Sequence, residues 1–218
     1  MRAFVLHARK AVLGGLSPAQ NRQIPPLRYH LVRRLSDDFP DLRFSLNGGL
    51  ETLSDASAQL AEPGNTLAGV MVGRAVVARP WEWATVDTAL YGEARNPALC
   101  RRQVLDDYCT FAARMEASDP HKIKRLLMAP ALNLFANEPN GKRFRRTVDE
   151  IARSAPTLSA AELLRKAADE SLRPDTLDAP PGYRWDYGSR SYVPPDEREP
   201  IARVDSAHGG PALQSAAA

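Results

Sequence analysis

Leu42-Arg43-Phe44-Ser45-Leu46 runs directly into Asn47-Gly48-Gly49, and one helix-length later Ala68-Gly69-Val70-Met71-Val72 runs into Gly73-Arg74. Each unit is a short apolar strand that ends in a polar turn. Upstream, Ala3 to Leu6 reads as a buried strand closed by His7-Ala8-Arg9-Lys10, and a loop with Gly14-Gly15 and Ser17-Pro18 follows it. Pro25-Pro26 then opens a helix, since proline suits the first turn. Leu27, Leu31, Leu35 and Phe39 recur every four residues as its apolar stripe, and Pro40 ends it. Further helices are expected from about Thr52 to Leu60, stopping near Pro63-Gly64, and from Pro80 to about Leu90, ending at Gly92. Alternation of strand and helix in this order predicts parallel strands joined by right-handed crossovers.

The two strand ends carry chemistry. Glycine lets backbone N–H groups come close to an anion, and arginine adds a forked cationic donor. Together they suit one phosphate, as do the loops after the last two strands of a (β/α)8 barrel. Each residue also has a plainer reading. His7 would cap a strand end, Asn47-Gly48-Gly49 would be a tight turn, and Arg74 would be a surface arginine. A barrel needs eight strands, and residue 3 already lies inside one of the three read here. The expected fold is therefore α/β, the C-terminal portion of a (β/α)8 TIM barrel.

From Pro97 the strand pattern disappears. Helices are expected over 97–117, 120–136, 141–154 and 159–172, the last with Ser159 and Glu162 as a capping box and Leu158 and Leu163 as a staple. This gives a partial barrel over 1–95, a small all-α helical domain over 96–173, and a Pro/Gly-rich tail over 174–218 expected to be disordered. In the tail, Tyr183, Trp185, Tyr187 and Tyr192 alternate with Arg184 and Arg190. They would stack on RNA bases, drape over the helices or stay loose.

The 218 residues carry 29 Lys and Arg against 26 Asp and Glu, and the distribution says more than the net charge of +3. From Met1 to Arg34 there are seven basic residues and no acid, and from His121 to Arg146 seven more against Glu138 alone. Such segments are either solvated helix faces or one polyanion surface. No apolar run is long enough to span a bilayer, and no signal peptide is read at the start. Cys100 and Cys109 fall on an expected helix, where packing is the expected role. They suggest neither a disulfide framework nor a metal site, and a reducing compartment fits.

Longer motifs resemble a known family. His7-Ala8-Arg9-Lys10, Gly15-Leu16-Ser17-Pro18 and Asn21-Arg22-Gln23-Ile24-Pro25-Pro26-Leu27 resemble the tRNA-dihydrouridine synthases, with the D-loop 20/20a subfamily the nearest type. Leu46-Asn47-Gly48-Gly49 and Gly69-Val70-Met71-Val72-Gly73-Arg74 follow in the family's order and spacing. Leu132-Asn133-Leu134-Phe135, Glu138-Pro139-Asn140-Gly141 and Lys142-Arg143-Phe144-Arg145-Arg146 resemble its C-terminal helical domain, so the match covers roughly residues 3 to 153. The resemblance implies an oxidoreductase that uses FMN, with NADPH as reductant, to reduce a flipped-out uridine of tRNA. His7, Asn47, Gly48, Gly49, Gly73 and Arg74 would hold the FMN phosphate and its surroundings, and Arg22, Lys142 and Arg145 would contact tRNA. Ala19 stands where the subfamily carries a longer polar side chain. The family's catalytic cysteine belongs to an Asn-x-Gly-Cys-Pro stretch in the first half of the barrel, so none of these residues is expected to be catalytic. The chain alone is then expected to be inactive. The alternatives are a tRNA-binding module without chemistry and an unrelated phosphate-binding barrel. A cytoplasmic setting (or an organellar one, given an upstream targeting peptide), no metal, no membrane and no stable protein partner are expected.

Overall fold

The computed structural model describes residues 2–119 and 123–195. Three parallel strands form its sheet in the order β1 (Ala3–His7), β2 (Arg43–Asn47) and β3 (Gly69–Met71). The register sets His7 opposite Asn47 and Asn47 opposite Met71, so the carboxyl ends of all three strands lie level. Between β1 and β2 run α1 (Pro18–Asn21) and α2 (Tyr29–Asp38), and between β2 and β3 runs α3 (Leu53–Leu60). Thr52 and Asp55 form a capping box at the start of α3, which satisfies backbone N–H groups that the helix leaves open.

Phe44, Leu46 and Leu50 pack with Val32 and Leu67 on one side of β2, and Leu53, Ala56 and Ala75 pack with Trp83 nearby. Two expectations are corrected here. The strand Ala3 to Leu6 is not buried: its residues alternate, and Val5 is 56% exposed. Among the described residues β1 pairs on one edge only, with β2. The stripe of Leu27, Leu31, Leu35 and Phe39 is not the buried face of α2 either. All four are exposed, and Val32 and Ser36 point inward instead. A step of four residues drifts around a helix of 3.6 residues per turn, and the inward face here is partly polar. Ser36 Oγ donates to the Thr66 carbonyl at 2.9 Å, while Arg33 donates to Gln59 Oε1 at 2.9 Å and to Asn65 at 3.1 Å.

After β3 the chain forms α4 (Arg74–Ala78), a 3-10 turn (Pro80–Trp83) and α5 (Val86–Leu90), where one helix from Pro80 was expected. Pro80 separates α4 from the 3-10 turn, because proline cannot continue a hydrogen-bonded helix begun before it. Next come α6 (Arg101–Ser118), α7 (Lys124–Met128), a 3-10 turn (Ala129–Asn133), α8 (Gly141–Ser154) and α9 (Ala160–Ser171). The single helix expected over 120–136 is thus divided at Pro130, and residues 120–122 of it lie outside the described residues. The Ser159–Glu162 capping box is formed. These helices enclose an apolar core that includes Phe135, Phe144, Val148, Leu163, Leu164 and Cys109. Phe135 and Phe144 meet edge to face with centroids 5.0 Å apart. Fully buried side chains of this size stabilise by roughly 1.5–3 kcal/mol each. At the turn into α8 a Cβ on Gly141 would lie 1.9 Å from the Phe135 carbonyl oxygen, so only glycine fits there.

The reading of the tail as disordered is also corrected as far as residue 195. It forms α10 (Pro174–Asp178) and an antiparallel hairpin of β4 (Arg184–Asp186) and β5 (Ser191–Val193). Trp185 and Tyr192 pack edge to face at 5.2 Å, and Tyr187 stays exposed. Tyr192 Oη donates to Glu138 at 2.5 Å, and Arg102 makes a forked pair with Asp178. Glu138 is also paired with Arg101, which is fully buried and sits 4.7 Å from the Trp81 ring centroid. Burial pushes the Arg101 pKa down and Glu138 opposes that; burial, then the Glu138 hydrogen bond, pushes the Tyr192 phenol well up. One polar cluster therefore joins the 3-10 turn after β3, the helices and the hairpin. Residues 196–218 lie outside the described residues. No helix among the described residues is long and apolar enough to cross a membrane.

Candidate functional site

The level strand ends open into one cavity of about 340 Å³. His7, Asn47, Gly48, Gly49, Gly73 and Arg74 all line it, and so does Arg22. The size falls in the range of small-molecule sites, about 300–1,000 Å³. All six residues expected at a phosphate are thus brought together by three separate strand ends.

Local geometry explains why the turn after β2 holds two glycines. Gly48 has φ +114° and Gly49 +73°, backbone that glycine adopts at little cost. A Cβ on Gly48 would sit 3.1 Å from the His7 ring, and one on Gly49 would sit 2.4 Å from Leu27 Cδ1. Tyr29 Oη donates to the Gly48 carbonyl at 2.7 Å and fixes the turn to α2. At the far end of the loop, Asp55 Oδ2 accepts from the N–H groups of Glu51 at 3.1 Å and Thr52 at 2.9 Å. Gly73 differs: a Cβ there would meet no atom of the chain within 4 Å. The space beside it is open.

The electrostatics favour an anion. Burial first, then the charges of Arg9, Arg74 and Arg22, hold the His7 imidazole below the usual histidine range. His7 is therefore neutral near pH 7 and meets a positive field. Arg74 Nη2 donates to the Arg22 carbonyl at 3.4 Å, which brings the loop after α1 to the cavity. Arg22, expected on an RNA surface, thus stands at the cradle. Lys142 and Arg145 stand apart from the cavity, near the start of α8, Lys142 exposed and Arg145 half-buried. The buried face of α8 is Gly141, Phe144, Thr147, Val148 and Ile151.

Sequence reading missed Tyr29, Glu51 and Arg79. Arg79 and Glu51 line the cavity, and Arg79 Nη2 donates to the Glu51 carbonyl at 3.1 Å. No local pattern marks a contact across 28 positions. Neither cysteine lines the cavity. Cys109 is fully buried among the helices, and burial pushes its thiol pKa up. Cys100 is half-buried just before α6. Among the described residues no group of His, Cys, Asp and Glu is arranged to hold a metal ion.

The family model described as Dihydrouridine synthase (Dus) matches residues 1–171. A tRNA-dihydrouridine(20/20a) synthase of Pseudomonas syringae pv. tomato is 39% identical over 147 residues, covering 66% of this chain and 41% of the relative. The protein of that name in Pseudomonas putida is 38% identical over 171 residues, covering 75% and 48%. The one in Synechocystis sp. is 36% identical over 178 residues, covering 81% and 50%. The chain spans about half the length of the curated relatives it matches.

Proposed function

Because the chain belongs to the dihydrouridine synthase family, we propose that it carries the cofactor-phosphate site and an RNA-facing surface of an FMN-dependent tRNA-dihydrouridine synthase acting on the D-loop. The observation that carries this reading is the single cavity in which His7, Asn47, Gly48, Gly49, Gly73 and Arg74 converge. In this reading residues 1–95 are the last strands of a TIM barrel and 96–173 a helical RNA-binding domain. Membership of the family displaces an unrelated metabolite enzyme as the alternative.

The residues present fit a flavin phosphate. Two glycines with positive φ put no side chain on the turn, Gly73 leaves open space, and burial, then the charges of three arginines, depress the His7 pKa. Bound FMN would supply a hydride carrier, reduced by NADPH, for a tRNA uridine. Gly48 and Gly49 would bind the phosphate through backbone N–H groups, and Arg74 and Arg22 would balance its charge. His7 would offer a ring N–H as a donor at the same wall. Lys142 and Arg145 would bind the tRNA backbone. With neither cysteine at the cavity, no thiol of this chain is placed to give a proton to the base, and the chain alone would not form dihydrouridine. That same observation supports a second reading, a tRNA-binding module without chemistry.

The test is binding of FMN and of riboflavin, which lacks the phosphate, to the 218-residue chain. The reading expects preference for FMN, lost in Arg74→Gln. Equal affinity for the two flavins contradicts it. Dihydrouridine formed by the chain alone with FMN, NADPH and tRNA would contradict the assignment of no catalytic group.

A further inference from the structure

We propose that Arg79 is a positioning residue for the anion cradle, holding the loop that carries Gly48 and Gly49 rather than acting only as another charge. The inference rests on the reading of the cavity as a phosphate site. The loop is anchored from three directions. Tyr29 holds the Gly48 carbonyl at 2.7 Å, and Asp55 holds the N–H of Glu51 at 3.1 Å. Arg79 Nη2 holds the opposite side of the same residue, the Glu51 carbonyl, at 3.1 Å. Beside the β2–β3 pairing and the packing of Leu53 on Ala75, it ties this loop to the segment that follows Gly73-Arg74 and so braces the two halves of the cradle against each other.

The guanidinium is itself held in place. Arg79 Nε donates to Glu82 Oε2 at 2.7 Å, and Glu82 Oε1 accepts from Asn137 Nδ2 at 3.3 Å. Asn133 Nδ2 donates to the Val77 carbonyl at 3.0 Å, which fixes the end of α4 just before Arg79. The cradle is thus braced against the turns that lead into α8. A planar fork is suited to reaching a carboxylate and a carbonyl at once, whereas an ammonium on a flexible stem is a single point charge.

The experiment compares FMN and riboflavin affinity for the full chain and for R79Q, R79K, E82A and R74Q. Losing a hydrogen bond from a charged group is expected to lower FMN affinity about tenfold in R79Q, with riboflavin affinity unchanged. R79K is expected to recover part of the loss. E82A decides between positioning and charge: removing a carboxylate near the cradle would tighten FMN by electrostatics alone, and loosening Arg79 would weaken it. Weaker FMN binding by E82A supports the positioning role; tighter binding overturns it. Wild-type FMN affinity in R79Q, or an equal loss for riboflavin, also overturns it. If instead R74Q keeps full FMN affinity, the phosphate reading fails and the role of Arg79 fails with it.

Discussion

The phenol of Tyr29 donates to the Gly48 carbonyl at 2.7 Å across 19 positions of sequence. It ties the first turn of α2 to the glycine turn at the end of β2. Tyr29→Phe keeps the ring and removes this bond, so it is expected to cost about 1 kcal/mol of stability. FMN affinity is expected to fall severalfold, because the Gly48 peptide is free to rotate. Thermal melting and flavin titration of the variant check both effects.

Gly49→Ala adds a methyl where φ is +73° and Leu27 Cδ1 would be 2.4 Å away. Backbone strain alone costs about 1–3 kcal/mol. Leu27→Ala in the same chain removes the clash and leaves the strain. The double variant is therefore expected to melt above the level set by adding the two single losses. Additive losses would show that Leu27 does not confine the turn.

Glu138 satisfies Arg101 and Tyr192 together. Glu138→Gln leaves a buried guanidinium without its counter-charge, which is expected to cost about 3–5 kcal/mol. Tyr192→Phe is expected to cost about 1 kcal/mol. Chemical denaturation should rank the two in that order, and the reverse order would place the anchor of the hairpin elsewhere.

The His7 pKa is lowered by burial and by Arg9, Arg74 and Arg22. Below the usual histidine value the unfolded chain binds a proton that the folded chain resists, so this group makes stability fall as pH falls through that window. A bound phosphate supplies the opposite charge and raises the pKa of His7. Affinity for an anion of fixed charge is then expected to increase as pH falls through the His7 titration. The His7 ring signal, titrated by NMR with and without inorganic phosphate, measures both; a pKa unmoved by phosphate would separate His7 from the anion.

Lys142 and Arg145 carry no share of the cradle. Charge reversal of both is expected to weaken tRNA binding and flatten its salt dependence while leaving FMN affinity unchanged. Gel shifts across a salt series check this, and unchanged RNA affinity would remove α8 from the interface.

Much of the candidate site was legible because its parts are local. The strand ends at Asn47-Gly48-Gly49 and Gly73-Arg74 are readable from a few neighbouring residues, and the Ser159–Glu162 cap from a four-residue pattern. The failures concern contacts between distant segments. Ser36 is buried because Thr66 offers it a carbonyl, and no periodicity in α2 announces that. Tyr192 is ordered by Glu138, 54 positions earlier, so a Pro/Gly-rich composition misled. Arg79 looks like any basic residue before a proline, and its meaning comes from Glu51 across the cavity.

The most direct measurement is a crystal structure of the chain grown with FMN. The phosphate is expected within hydrogen-bond distance of the Gly48 and Gly49 N–H groups and of the Arg74 guanidinium. FMN bound with its phosphate elsewhere, or a cavity empty of FMN at saturating concentration, would contradict the cradle.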